Sequence, residues 1–493
     1  MAFSFKKRIT NFIENEKDVP FLAAFITGFT PLIFFYSNNY WAANSFGHVV
    51  FFVLRFLGLS FAIYLSVYYV VKAIGASSKQ RAYTLLILLL ICLFAFLLHS
   101  FFLSPKRGFA LFIGIIFLGY LLWSDPRRNY KKLIIFLFFF SSISVFRTLV
   151  HLYEDIKADY WLIQNDDIEN VKFKKFPNIY VIQPDGYVSQ NVMEESPYNF
   201  KSELYDWLRQ NQFKVYDNFR SNYPASLTSN ASLFSMKQHK FADMIFPEIE
   251  MANAREVITQ SNPVASILRK NNYETYFIAE DEYFQQNKKQ SAFDQFNIAI
   301  DEFPYNSKGD DEVRNVLVDF KKMVNDNINK PKFFFIEKLL PHHVEFWNTD
   351  ESIVDERDKY VTRINEVNSW LKLLVNDITS MDKDGIIVIL ADHGGWVGLK
   401  SFNHLYSAEE PKLIRSTFGN IAAIKWSNNL VPNYDANLKT NVNLFRVLFA
   451  SLGENPKYLG HLEDNSSYNI KLNNFGFKSV KKVIDESGNV LIE

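Results

Sequence analysis

Five long apolar runs follow one another in the first 152 residues of the chain, at about 20–36, 49–74, 83–103, 108–123 and 133–152. Each approaches the roughly 20 residues that a helix needs to cross the hydrocarbon core of a bilayer. Trp41, Trp123 and several tyrosines stand near the ends of the runs, where amphipathic rings settle at the level of the lipid head groups. One such run could be a core helix of a soluble protein, but five in succession specify a transmembrane domain over residues 1–152. Residues 1–19 are polar, with Lys6, Lys7, Arg8 and Lys17, and lack the short apolar core and small-residue site of a cleaved signal peptide.

Orientation is read from the cations in the connections. Lys6, Lys7, Arg8 and Lys17 precede the first run, Lys79 and Arg81 follow the second, and Arg127, Arg128, Lys131 and Lys132 follow the fourth. Only Lys106 and Arg107 stand on the other side, ten against two. The rule therefore predicts a cytoplasmic N-terminus in the cytoplasmic (inner) membrane. An odd number of spans then puts everything after residue 152 on the extracytoplasmic side. Arg55 and Arg147 fall within or near spans, where an anionic lipid head group is a natural partner and Arg147 can snorkel to the interface. The chain carries 53 Lys+Arg and 53 Asp+Glu, a net charge of zero, so nothing points to nucleic acid. Cys92, the only cysteine, lies in an apolar run and forms no intrachain disulfide.

Residues 153–175 read as a charged amphipathic linker, a helix lying along the membrane. After it, strands and helices alternate over residues 176–493, which predicts an α/β domain with a mainly parallel central sheet and helices on both faces. The run Ile386–Leu390 is aliphatic and β-branched and leads into Ala391-Asp392-His393-Gly394-Gly395. Ligands in open α/β sheets sit just beyond the carboxyl ends of strands. An acid and an imidazole side by side there offer an oxygen and a nitrogen ligand. Taken alone, the tripeptide is as readily an ordinary strand-to-loop turn.

The pattern recurs. Pro177-Asn178-Ile179-Tyr180-Val181-Ile182 runs through Gln183-Pro184 into Asp185-Gly186. Phe333 to Ile336 leads into Glu337-Lys338-Leu339-Leu340-Pro341-His342-His343, paired histidines in a chain that has nine. His404 comes eleven residues after His393. Tyr223-Pro224-Ala225-Ser226-Leu227-Thr228-Ser229-Asn230-Ala231-Ser232 reads as the start of a helix. Ser226 or Thr228 there is either a plain N-cap or a hydroxyl set in the positive field of the helix end, which also favours phosphate. Carboxylates and neutral imidazoles suit zinc or manganese, and a metal beside a serine hydroxyl makes it a nucleophile near neutral pH.

These segments resemble the alkaline phosphatase/sulfatase superfamily, and within it the membrane-anchored phosphoglycerol and phosphoethanolamine transferases (lipoteichoic acid synthase-like), which place five spans before an extracytoplasmic catalytic domain. The resemblance covers about residues 175–460. It implies Asp185, Asp392 and His393 as metal ligands together with Ser226, His404 as a further ligand, and His342 as a catalytic residue holding metal or the substrate phosphate. It places Ser226 at the nucleophile, with Thr228 as the alternative, and His342 ahead of His343. It implies one divalent metal, Zn or Mn, with a second metal open. The expected partners are a membrane phospholipid donor and a cell-envelope glycan or lipid acceptor; oligomeric state is not set.

The sequence departs from the family pattern at Ser226, where the transferases usually carry Thr, at Asn230, commonly apolar, and at Glu337, where many relatives have a histidine. Formylglycine-dependent sulfate hydrolysis is excluded, because Ser226 is followed by Leu227-Thr228-Ser229 without the Pro and Arg that conversion requires. The expected activity is metal-dependent transfer of a phospho-head group through a covalent Ser/Thr intermediate. The alternatives are a membrane-anchored phosphodiesterase or phosphatase and, in another class, a non-catalytic envelope protein on the same fold.

Overall fold

The structure is a computed structural model that describes residues 2–100, 105–325, 329–344, 353–429, 432, 435–473 and 478–492. The chain divides into two compact units, Met1–Tyr153 and Glu154–Glu493.

The first unit contains helices long and apolar enough to cross a membrane, beginning with Pro20–Ala42, Phe46–Ala73, Ser78–Ser100 and Pro105–Leu122, and a fifth that starts at Pro126. The end of the third expected span, residues 101–103, lies outside the described residues. Several polar side chains inside the bundle are hydrogen-bonded there, as a water-free interior favours. Thr30 and Ser141 share a hydrogen bond at 2.9 Å, Thr27 donates to the Tyr64 hydroxyl at 2.9 Å, and Ser60 donates to the Ala24 carbonyl at 2.7 Å. Asp18 accepts from Arg81 at 2.6 Å and from Tyr68 at 2.9 Å. The second span is interrupted by a π-helical stretch, Leu54–Gly58, against which Gly28 packs. A Cβ on Gly28 would stand 2.5 Å from the Phe56 carbonyl oxygen, so only glycine allows this approach.

The second unit is built on a seven-stranded sheet. Its strands are β1 (Ile179–Pro184), β2 (Lys214–Val215), β3 (Glu274–Ile278), β4 (Gln295–Phe296), β5 (Lys332–Lys338), β6 (Ile386–Leu390) and β7 (Ala422–Lys425), in the order β2-β7-β6-β1-β5-β3-β4. The pairings from β6 through β1, β5 and β3 to β4 are parallel, and those of β7 with β6 and with β2 are antiparallel. The central strands are buried on both faces, which is why they read as continuous apolar runs. Their alternation divides the core. Tyr180, Ile182, Phe334, Ile336, Ile387 and Ile389 join the cluster formed with helices Leu204–Gln210, Val316–Val324 and Ile353–Met381. Phe335 and Phe277 face the other way, onto Phe234 of helix Ser226–Ser235 at 5.0 and 6.3 Å between ring centroids.

One expectation changes. Residues 154–175 do not form one amphipathic helix. The helix Pro126–Lys157 ends, 3-10 turns follow at Ala158–Leu162 and Ile168–Asn170, and Ile168, Val171 and Phe173 are buried in the second unit. Its backbone is held there too, Phe173 N–H donating to Asn271 Oδ1 and Lys174 N–H to the Leu452 carbonyl, both at 2.8 Å. The apolar positions that suggested a membrane-facing stripe belong to that unit's own core. The charged tail forms a hairpin of β8 (Ser467–Leu472) and β9 (Lys478–Ile484). Arg220 ties this segment down by donating to the carbonyls of Asn465 and Asp485 at 2.7 and 3.0 Å.

Gly28→Val should push the first span off the π-helical stretch and destabilise the membrane unit by about 1–3 kcal/mol, as overpacking does. Thermal unfolding of the detergent-solubilised chain measures it, and an unchanged melting temperature would refute this packing.

Candidate metal and nucleophile site

Three loops bring the expected residues to the carboxyl ends of β1, β5 and β6. Asp185 follows β1, Asp392 and His393 follow β6, and Ser226 opens the helix Ser226–Ser235. One ligand atom each of Asp185, Asp392 and His393 lies within 4.8 Å of the other two. His393 Nε2 is the point of convergence, 3.3 Å from Asp392 Oδ2, 3.5 Å from Asp185 Oδ1 and 3.3 Å from Ser226 Oγ. Ser226 Oγ also lies 3.5 Å from Asp185 Oδ1.

The other ring nitrogen fixes the tautomer. His393 Nδ1 lies 2.7 Å from the Gly394 carbonyl, which can only accept, so Nδ1 carries a hydrogen and Nε2 is the ring atom turned to the acids. A lone pair on Nε2 facing two buried carboxylates is repulsive unless a proton or a metal ion stands between them. The donor set, two carboxylates and a neutral imidazole beside a hydroxyl, is that of a divalent-metal site.

The backbone around the site is pinned. Asp392 Oδ1 accepts the N–H groups of His393 and Gly186 at 2.9 and 3.1 Å. The Asp392 carbonyl accepts from Ser229 Oγ at 2.6 Å and Asn441 Nδ2 at 3.1 Å. Gly394 is held against the segment at Ser416, for a Cβ there would lie 2.2 Å from the Ser416 carbonyl oxygen.

Burial and neighbouring charge act against each other on the acids. Burial works to raise Asp185, but the imidazoles of His342, His393 and His343 outweigh it and hold this carboxyl well below the usual range. Burial pushes Asp392 up to about 6, eased by His393 and reinforced by Asp185.

His342 reaches the site, its Nδ1 bonded to Asp185 Oδ2, which leaves Nε2 facing elsewhere. His343 lies beside it with ring centroids 4.1 Å apart, Nδ1 donating to the Val344 carbonyl at 2.9 Å. Trp396 orders the group. Its ring stacks on His343 at 4.0 Å and on His393 at 5.3 Å, and its Nε1 donates to the Pro224 carbonyl at 3.1 Å, just before the serine segment. Thr228 is turned away, buried and donating to the Ala225 carbonyl at 2.9 Å. His404 is not brought into the group of close ligand atoms. It stands on the 3-10 turn Phe402–Tyr406, where its Nδ1 accepts the Lys400 N–H at 3.2 Å. The spacing from His393 gave its distance along the chain, not its direction in space.

Over residues 187–450, more than half its length, the chain matches the sulfatase family model. The chain belongs to the sulfatase family. The fold is therefore that of a sulfatase-like hydrolase or transferase, which binds a divalent metal. Three solved structures are similar to it. The lipooligosaccharide phosphoethanolamine transferase A (EptA) of Neisseria meningitidis is 12% identical, with TM-score 0.44 over 88% of this chain and 95% of that one. The lipoteichoic acid synthase LtaP of Listeria monocytogenes is 15% identical, with TM-score 0.40 over 66% and 91%. The periplasmic domain of EcEptC from Escherichia coli in complex with Zn is 15% identical, with TM-score 0.41 over 58% and 85%. Comparison with curated proteins gives no match.

Two acids beside the sulfatase-like site escaped the sequence reading as site residues. Glu337, near the end of β5, is buried, and its Oε2 has no hydrogen-bond partner among the described residues. Burial, with the charges of Asp281, Asp185 and Asp392, raises it well above the usual range. Asp281 follows β3 and is pushed by burial, then by Glu282 and Glu280, up to about 7. The signal was present in Glu280-Asp281-Glu282 after a strand, but an acidic turn is too common to single out. Asn230, a departure from the family pattern, exchanges two amide hydrogen bonds with Gln183 at 2.9 and 2.8 Å.

Gly394→Ala should displace the Asp392-His393 turn and destabilise the second unit by about 1–3 kcal/mol. Calorimetry of the full chain checks this, and wild-type stability would refute the close packing at Ser416.

Proposed function

We propose that this sulfatase-family protein is a metal-dependent transferase that moves a phospho-head group, of the phosphoglycerol or phosphoethanolamine type, from a membrane phospholipid to an envelope glycan or lipid. The observation that carries the reading is the meeting of Ser226 Oγ with His393 Nε2 and Asp185 Oδ1, on a chain with five spans ahead of it. The positive-inside pattern supports a site outside the cytoplasmic membrane, with the N-terminus inside.

Asp185, Asp392 and His393, with Ser226, would hold a Zn or Mn ion. Such an ion supplies positive charge that lowers the pKa of the serine hydroxyl and polarises the phosphoryl group. Ser226 Oγ attacks the donor phosphorus and gives its proton to a flanking carboxylate, the P–O bond to the lipid breaks, and the departing oxygen takes a proton from water to leave as the alcohol. His342, oriented through Nδ1 by Asp185, offers Nε2 to a phosphoryl oxygen, with His343 beside it. The acceptor hydroxyl then attacks the phosphoserine and releases Ser226. The position of the hydroxyl at the first turn of a ten-residue helix favours the phosphate charge that gathers there. The buried engagement of Thr228 with Ala225 supports Ser226 as the nucleophile.

Ser226→Ala should lower turnover roughly a thousandfold or more, since a nucleophile acts as a unit with its neighbours. Intact-mass measurement of the full chain in native lipids should find a head-group adduct on wild type and none on the variant. Full turnover by the variant would end the assignment. Chelation should abolish activity, and Zn or Mn should restore it. Release of free head group without acceptor, as fast as transfer, would instead mean a hydrolase.

A further inference from the structure

A separate cavity of about 560 Å³ is lined by Lys240, Ile245, Tyr468, Lys478 and Lys482, among others, none of which belongs to the site above. Its three ammonium groups are placed by aromatic rings. Lys240 and Lys482 lie 5.5 and 5.9 Å from the centroid of the Tyr468 ring, and Lys478 lies 5.1 Å from that of Tyr406. Ring faces orient a cation without cancelling its charge. Among the described residues Lys482 pairs with Asp464 at 3.3 Å, whereas Lys240 and Lys478 have no carboxylate partner. Among the described residues that line it, the cavity thus carries three cations and no acid.

The segment that carries Lys240 is strained. Lys240, Phe241 and Ala242 have φ of 42°, 60° and 47°, three consecutive left-handed residues without a glycine. Strain of this kind persists where the surroundings enforce it, and it gathers at working segments. Here Phe241 is fully buried against Tyr223 and His239, at 5.2 and 5.5 Å between ring centroids, while Lys240 lines the cavity.

Beside the cations stand Ile245 and Phe246, 53% and 42% exposed. The Ile245 N–H donates to the Glu154 carboxylate at 2.8 Å. Glu154 is the first residue of this unit and comes two positions after residue 152, where the last apolar run ends in the sequence. The exposed apolar pair is thus tied, through the Ile245 backbone, to a residue two positions beyond the last apolar run of the sequence.

We propose that this face rests on the bilayer, with Lys240, Lys478 and Lys482 taking the phosphates of anionic phospholipids while Ile245 and Phe246 enter the boundary between head groups and acyl chains. Basic groups beside exposed apolar side chains are the signature of interfacial membrane binding. A soluble anion or an acidic glycan gives no use to exposed Ile and Phe, so the bilayer is the favoured occupant. The role goes beyond the transfer reaction: it is a contact of the catalytic unit with lipid, made away from the reacting groups.

The test uses the full chain in nanodiscs. Cys92→Ala removes the native thiol, and Phe246→Cys takes an environment-sensitive nitrobenzoxadiazole label. Val313→Cys, at a position 70% exposed, is the water-facing control. With phosphatidylglycerol in the nanodisc, the label at 246 should be blue-shifted and quenched severalfold more by spin-labelled lipid than the label at 313. Neutral phosphatidylcholine should weaken the effect, and so should high salt. The combined variant Lys240→Gln, Lys478→Gln, Lys482→Gln should lose the phosphatidylglycerol dependence while keeping its melting temperature and its adduct on Ser226. Should that variant fail to fold, the lipid and salt comparison on the wild-type cavity still decides. Quenching no greater than at 313, or a lipid dependence that survives the lysine substitutions, overturns the proposal. An equal response to inorganic phosphate in neutral nanodiscs also overturns it, by assigning the cavity to a soluble anion.

Discussion

Four neighbouring strands, β6, β1, β5 and β3, each carry an acid at or just beyond the carboxyl end: Asp392, Asp185, Glu337 and Asp281. All four are buried, and a buried carboxylate without compensation is among the costliest features a fold can hold. The structure divides the burden unequally. Asp185 is held ionised by histidines, Asp392 receives two backbone N–H donors, and Glu337 and Asp281 are pushed toward their neutral forms. Charge is thereby concentrated on Asp185, while burial pushes its neighbour Asp392 up to about 6.

Holding that charge determines much of the surrounding chain. The turn before Trp396, whose ring stacks on two imidazoles, packs against Ser416 and has no room for a Cβ at Gly394. Asn441 and Ser229 are spent on the carbonyls of Ala391 and Asp392, so that the strand end cannot twist and carry the ligands apart. Gln183 and Asn230 close a pair of amide hydrogen bonds on the same face as Glu337, whose register partner is Gln183. Groups paired in this way are rigid, and a rigid donor set is what lets a site favour one geometry. Asn230, which from the sequence could signal decay of the site, is one of these paired groups.

Much of this was legible in the residues, because the informative patterns are local. Buried parallel strands read as continuous apolar runs, and the acids that follow β1 and β6 lie one or two positions beyond them. Ser226 was placed at a helix start by Pro224 and the hydroxyls around it, and the structure begins the helix there. What stayed hidden depends on direction in space. His404 has the family spacing, yet its ring is turned to Lys400. Residues 163–175 have the polarity of an interfacial segment, but their apolar members fill the core under the helix Leu444–Leu452. Asp281 and Glu337 gained meaning only when the strand order placed β5 and β3 beside β1, a fact no window of sequence contains.

On the proposed reaction, the covalent step answers a problem of solubility rather than of reactivity. The donor lives in the bilayer and the acceptor presents a polar hydroxyl, so simultaneous binding would ask one pocket to suit both. A serine that keeps the head group lets the lipid leave before the acceptor arrives, at the cost of a second displacement at the same phosphorus. Confinement by five spans makes the first encounter a search in two dimensions, and orientation at a fixed hydroxyl removes much of the entropic barrier that remains. The two halves of the chain then serve one free-energy argument: the membrane helices raise the local concentration of donor, and the buried carboxylates make the serine reactive enough to use it.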